Sequence, residues 1–307
     1  MNSLLDKSLQ TLELPRVLEM LAAFAVSEEA KERCLALRPA SEIGEAATRQ
    51  KQTAAARAML EQRGAPALSG IKPVAPALSR ANLGGVLNTR ELLDIAGTVR
   101  CARQLKAYAP EDTTALDGYF GLLQGNRHLE DKIAGAIISE EEISDNASPD
   151  LSAIRRKMKS LGTKIKQILD QMIHSAHYQK FLQDNLVSMR NDRYVVPVKA
   201  EHRGDVPGIV HDISASGGTV FIEPAGVVAA NNELHELAMK EKYEIEKILA
   251  ALTAEVAAIS DILAADYELM SAIYHSRLVS DFVHQQHKLY ALHGKLDPVA
   301  VAPRKKQ

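Results

Sequence analysis

Residues 190–224, RNDRYVVPVKAEHRGDVPGIVHDISASGGTVFIEP, hold most of the side chains in this chain whose types and spacing suit chemistry. Five of them carry or can carry positive charge: Arg190, Arg193, Lys199, His202 and Arg203. Cations gathered in a short, Gly-studded segment offer contacts to a polyanion, and the same residues serve equally well as a solvated surface. His211, Asp212 and Ser214 have the residue types of a nucleophilic triad, but a triad needs convergence in space, which three neighbours in a turn do not supply. His174/His177 and His284/His287 are two H-x-x-H pairs at helical spacing. Two imidazoles on one helix face can hold a metal, but neither pair has an i+4 partner or a Cys nearby. Solvated histidines at the edge of a packed seam are expected instead. No catalytic residue, metal or bound cofactor is expected from these patterns.

Composition narrows the classes further. The chain has 307 residues, 46% hydrophobic and 25% charged, with a formal net charge of −2, so whole-chain charge neither favours nor disfavours nucleic acid. Aromatic residues make up 4% and Trp is absent, which argues against a platform that stacks bases. Two cysteines, Cys34 and Cys101, make no disulfide framework, and a reducing cytoplasm is the simpler setting. The opening MNSLLDKSLQ lacks the pattern of a secretory leader, and no apolar run is long enough for a membrane span.

The elements that must position the 190–224 segment are helical. Residues 1–125 read as a helical core domain of short, strongly punctuated helices. Ser27 can cap a helix over 28–37, Ser41 one running to about 62, and Asn88 with Glu91 forms a capping box for a helix through about 108. Gly64, Pro66, Gly70 and Pro73 mark a loop. Ser148-Pro149-Asp150 is a sharp helix start, and Ile154, Met158, Leu161, Ile165, Ile168 and Met172 then give one narrow apolar seam. A second seam runs Leu234, Leu237, Ile245, Ile248, Leu252, Val256, Ile259, Leu263, in a stretch free of Gly and Pro from Val227 to His293. Two long helices with matching seams, the first over 151–189 and the second from 227, predict an antiparallel coiled-coil arm. Two separate helices in a globular bundle are the alternative. Charge divides between them, with ten Lys/Arg against three acids in 151–200 and ten acids against three lysines in 221–270. Arm-to-arm pairing at positions flanking the seams is the expected reason for this split, Arg155–Lys159 included, and a basic outer face that touches phosphates is the alternative.

Between the arms, 193–199, 206–211 and 219–223 read as three short strands of a β meander at the distal tip, with Pro197 placing the first strand at an edge. The fold class is therefore mainly α: a helical core domain (1–125), a connector and first long helix (126–189), a β-rich tip (190–226), a returning helix (227–290) and a tail (291–307).

The 190–224 segment, followed by NNEL and a Glu/Lys-rich helix, closely resembles the MutS family, in particular its second bacterial type. LELPRVLEMLAAFAVSEEAKE, LGGVLNTRELLDIAG and DNASPDLSAIRRKMKSL look like the same family's core and first lever, in the same order, so the resemblance covers about residues 8–290. It implies a core, two lever helices and a reduced clamp at their tip. It also implies sequence-independent binding of duplex or branched DNA in recombination control and repair, or of ribosomal RNA at collided ribosomes, in the bacterial cytoplasm. A homodimer is expected of the full-length protein. The family's ATP and Mg2+ belong to an ATPase domain expected just past Leu296, and its Smr-type nuclease domain lies further on. No G-x-x-x-x-G-K-[ST] phosphate loop occurs in these 307 residues, so neither nucleotide hydrolysis nor nuclease activity is expected of this chain.

Phe221-Ile222-Glu223 spells the F-x-E with which mismatch-reading relatives wedge a base step, but those relatives carry it in an N-terminal domain for which this chain has no match. Packing of Phe221 within the tip and a solvent or loop contact for Glu223 are expected. The alternative to a nucleic-acid clamp is a coiled-coil adaptor whose β tip docks a protein.

Overall fold

The structure, a computed structural model, describes residues 2–25, 28–66 and 71–296. The Ser27 cap, Gly70 and the tail beyond 296 lie outside the described residues, as do the side chains of His284 and His287. The chain divides into two compact units, residues 1–134 with 253–307, and residues 135–252.

The first unit is helical: α1 (Asn2–Thr11), α2 (Leu14–Ala22), α3 (Glu28–Leu35), α4 (Ile43–Arg63), α5 (Ala75–Asn82), α6 (Thr89–Tyr108), α7 (Asp117–Leu122), most of α8 (Arg127–Ala136) and, further along the chain, α12 (Ser260–Leu296). Asn88 forms the expected capping box, accepting from the Glu91 backbone N–H while Glu91 accepts from its own. At α4 the N-cap is Glu42, without a side-chain cap bond, in place of Ser41, and Gly64 at φ +73° ends the helix after Arg63. Met59, Cys101, Leu105, Phe120, Met270 and Ile273 fill its core. Glu130 is buried between Arg100 and Arg103 at 2.8 and 3.0 Å. Burial alone raises its pKa, but the two guanidiniums outweigh that and hold it below the usual carboxylate range.

The second unit pairs α9 (Pro149–Ile173), followed by the single turn α10 (Ala176–Gln179), with most of α11 (Val228–Ala258). Ser148 caps α9 by accepting from the Leu151 N–H at 3.0 Å, with Pro149 at the first helical position. Asp150 faces Lys247, Arg155 faces Glu241 and Lys157 faces Glu233, so the two helices run antiparallel, as their seams predict. The seam buries Leu151, Ile165, Leu169 and Ile173 of α9 with Leu237, Ile248 and Leu252 of α11. The Gly- and Pro-free stretch after 227 breaks once at Ile259, where α12 (Ser260–Leu296) follows.

The first long helix stops at Ile173 rather than continuing to 189. No Gly or Pro explains this. Phe181 and Leu182 are buried under the sheet, and the backbone there pairs with a strand: the Gln183 N–H donates to Pro197 and the Lys199 N–H to Phe181, each at 2.9 Å. That pairing and burial replace the next helical turns.

The sheet has four antiparallel strands, β1 (Ser188–Arg190), β2 (Arg193–Lys199), β3 (Gly208–Ile213) and β4 (Thr219–Pro224), in the order β1-β2-β4-β3. The fold class read from the sequence holds, with one strand more and β4 seated between β2 and β3. The placement follows burial: β4 is the more buried strand, and β3, largely exposed, takes the edge. Pro197 is correspondingly not at an edge. It falls in the gap between the two partners of β2, with β1 opposite 193–195 and Leu182 bridged to Val198. Val196, Val198, Val220 and Ile222 cover Ile165, Leu169 and Ile173 of α9 and Val227 beside α11. Gly208 is required by close approach, since a Cβ there would lie 2.1 Å from the Glu223 carbonyl oxygen.

Candidate functional site

A two-residue turn, Asn191-Asp192, joins β1 to β2, with φ of 48° and 58°. Positive φ at both central residues is the type I′ geometry that matches strand twist. This turn fixes where Arg190 and Arg193 emerge, because the two residues pair directly across it.

Both arginines are engaged within the sheet. Arg193 donates to both carboxylate oxygens of Glu223 at 2.9 and 3.2 Å and to Asn232 Oδ1 of α11 at 2.7 Å. Glu223 is fully buried, and His211 Nε2 lies 2.5 Å from its Oε2. The adjacent Asn231 donates to the Tyr194 carbonyl at 3.1 Å and accepts from the Tyr194 N–H. Arg193 and Asn231 thus fasten β2 to the start of α11. A buried carboxylate requires such partners. Arg190 stacks 4.0 Å above the Phe221 ring and pairs with Asp212 at 3.1 Å.

The F-x-E residues are therefore internal to the sheet. Phe221 packs under Arg190 as expected, whereas Glu223 is a buried ion-pair anchor and has no solvent contact. The triad-like residues separate in the same way, His211 binding Glu223 and Asp212 binding Arg190.

The remaining candidates gather at the opposite end of β2. Lys199 Nζ donates to the Lys180 carbonyl at 3.1 Å, and Lys180 Nζ sits 4.7 Å above the Phe181 ring. His202 tilts over the same ring at 5.1 Å and bonds Asp205 at 2.8 Å through Nδ1. Arg203 follows, exposed. Among the described residues, Lys180, Lys199 and Arg203 form no ion pair with a carboxylate. His177 stacks edge-on against Phe181, and His174 bonds the Asp170 carbonyl. The described residues contain no His/Cys/Asp/Glu group able to hold a metal ion.

The five residues singled out from the sequence thus fall into two sets, Arg190 with Arg193 and Lys199 with His202 and Arg203. Sequence reasoning missed Glu223 as an anchor, Asn231 and Asn232 as its support, and Lys180 as a neighbour of Lys199. Only the type I′ turn had a local signal, the Asn-Asp pair between two β-prone stretches.

On α9 the charge division resolves further. Arg155 bonds Glu241 and Asp145, each at 2.6 Å, and the Ile143 carbonyl. Burial opposes its charge, yet these bonds hold its pKa above the ordinary arginine value. Lys157 pairs with Glu233 at 2.6 Å and holds that carboxyl below its usual range. Ser148 donates to Glu244 at 2.9 Å, and with Lys247 it depresses Glu244 likewise. Arg156, Lys159, Lys164 and Lys166 are exposed and form no ion pair among the described residues.

The two units define a mainly helical protein in which an antiparallel helix pair carries a small antiparallel sheet. No family model matches the chain. The chain is 38% identical over 317 residues to Endonuclease MutS2 of Acetivibrio thermocellus, covering 97% of this chain and 40% of that protein. It is 40% identical over 289 residues to Endonuclease MutS2 of Ruminiclostridium cellulolyticum, and 42% identical over 272 residues to that of Agathobacter rectalis. The last two comparisons cover 92% and 87% of this chain and 36% and 34% of those proteins. The chain thus spans well under half the length of these relatives, and it matches their N-terminal part. It belongs to the MutS2 family. No single helix among the described residues is long and apolar enough to cross a membrane.

Proposed function

We propose that this chain is the nucleic-acid-gripping part of a MutS2-type protein, with α9 and α11 as lever helices and the four-stranded sheet as a reduced clamp. It binds duplex or branched DNA through the phosphate backbone, without reading sequence and without doing chemistry itself. ATP, Mg2+ and strand cleavage belong to other regions of the full-length protein, which acts as a dimer in recombination control and repair. Structured ribosomal RNA is a competing ligand for the same cations. The observation that carries this reading is the set of Lys180, Lys199 and Arg203 around one end of β2, which form no ion pair with a carboxylate among the described residues. Fixed cations left unpaired on a rigid element are what a polyanion backbone requires.

The test is anisotropy of a labelled branched duplex across a salt series with the purified chain. The three sheet-end contacts contribute about 3 units to the magnitude of the log–log slope, with affinity on the order of 10⁻⁴–10⁻⁶ M at physiological salt. Absence of binding, or binding indifferent to salt, overturns the reading and favours an adaptor whose sheet docks a protein.

A further inference from the structure

The acidic helix α11 forms ion pairs with Arg155 and Lys157 of α9, one on each side of its packed seam. Arg155 and Lys157 are taken by Glu241 and Glu233. Arg156, Lys159, Lys164 and Lys166 are not, although they lie on the same helix and within ten residues of one another. Arg156 donates through Nε to its own helix at the Ser152 carbonyl. Lys166 lies 5.7 Å over the Tyr194 ring. Lys164 comes within electrostatic reach of Glu233, whose hydrogen bond goes to Lys157.

At about 100° per residue, Lys159 and Lys166 fall on one edge of the exposed face and Lys164 on the other. Arg156, Ser160, Thr163 and Gln167 lie between, all exposed. No carboxylate occurs from Leu151 to Leu169, and Asp170 is the first. The four cations span about 15 Å of helix axis. The face is thus two cationic edges around a centre of Arg156 and short neutral hydrogen-bonding side chains.

We propose that this outer face of α9 is a docking surface for double-stranded DNA, with the edge lysines reaching the phosphate rows on either side of the major groove. The proposal rests on the nucleic-acid reading above and moves most of the contact from the sheet to the helix. Charge complementarity selects the occupant. A straight helix fits the major groove of B-form DNA, about 12 Å wide, whereas the major groove of A-form RNA is too deep and narrow for it. The face carries no aromatic residue to stack single-stranded bases and no apolar residue to enter a lipid surface. Ser160, Thr163 and Gln167 supply neutral donors to phosphate oxygens.

The experiment compares four proteins on labelled duplex DNA across a salt series, with RNA duplex and anionic vesicles as parallel ligands. They are the unaltered chain, Arg156→Ala/Lys159→Ala/Lys164→Ala/Lys166→Ala, the charge-keeping Arg156→Lys/Lys159→Arg/Lys164→Arg/Lys166→Arg, and the sheet-end Lys180→Ala/Lys199→Ala/Arg203→Ala. The neutralised face should lower the magnitude of the slope by about 3–4 units and weaken binding at least about tenfold at moderate salt. The charge-keeping variant should bind like the unaltered chain, which separates lost charge from lost folding. The sheet-end variant should lose fewer units of slope than the face variant. If the unaltered chain binds and the neutralised face binds equally well with an unchanged slope, the helix surface is overturned while the nucleic-acid reading stands. If the unaltered chain fails to bind duplex DNA, both fall. Loss of RNA-duplex or vesicle binding with duplex-DNA binding intact also overturns it.

Discussion

Arg193 offers the sharpest test of how this structure assigns its charges. Replacing it by Ala removes the hydrogen bonds to both oxygens of Glu223 and the bond to Asn232. Glu223 has no exposed surface, so its charge is left with His211 alone. Removing one partner of a buried pair costs about 3–5 kcal/mol. Arg193 itself is 21% exposed and His211 stays in place, which lowers the expectation to about 2–4 kcal/mol. For a unit the size of residues 135–252, roughly 4 °C per kcal/mol gives a fall in melting temperature of about 8–16 °C. The assay is urea and thermal unfolding followed by circular dichroism, with duplex-DNA affinity measured in parallel. Adding Glu223→Gln to an Arg193→Met chain removes the uncompensated charge and should restore about half of the loss or more, because the penalty lies in the stranded carboxylate. An Arg193→Ala chain with unchanged unfolding and weakened DNA binding would refute the argument. It would make Arg193 a phosphate contact after all.

Two further outcomes follow from the junction of α9 with α11. Ser148→Ala removes both the acceptor of the Leu151 N–H and the donor to Glu244, and should lower the stability of the second unit by about 1–2 kcal/mol, as the urea midpoint would report. Ser148→Asp keeps the cap but sets a negative charge against Glu244, and should recover less than half. The pH dependence has a definite sign. Glu244 is held below its unfolded value of about 4.3, so its contribution is complete above that pH and is lost as pH falls through the lower folded value. Urea midpoints taken from neutral to acid pH should decline more steeply for the unaltered chain than for Glu244→Gln. Parallel declines would remove Glu244 from the account.

The local grammar of the helices was legible in the residues. Ser148-Pro149 and Asn88 with Glu91 specify helix starts by bonds made within four residues, and narrow apolar seams at steps of three and four specify that α9 and α11 pair. Such signals survive because neighbouring residues supply both partners. The strand segments were legible for the same reason, since Tyr-Val-Val and Thr-Val-Phe-Ile favour pleated, half-buried backbone. Family resemblance also came from long ordered motifs rather than from any single side chain.

What the tertiary structure decided was the partner of each charge and the order of the strands. Arg193 and Arg203 look alike in sequence, yet one is locked to a buried carboxylate thirty positions away and the other is exposed. Arg155 and Arg156 are adjacent, but a helix turns them about 100° apart, toward Glu241 in one case and toward solvent in the other. The early end of α9 at Ile173 has the same origin. Residues 181–183 gain backbone partners and burial from β2, and contacts between distant segments outweigh a local preference for helix. Propensity and capping act over a few residues and can be read along the chain, whereas ion-pair partners and strand neighbours are chosen by proximity after collapse.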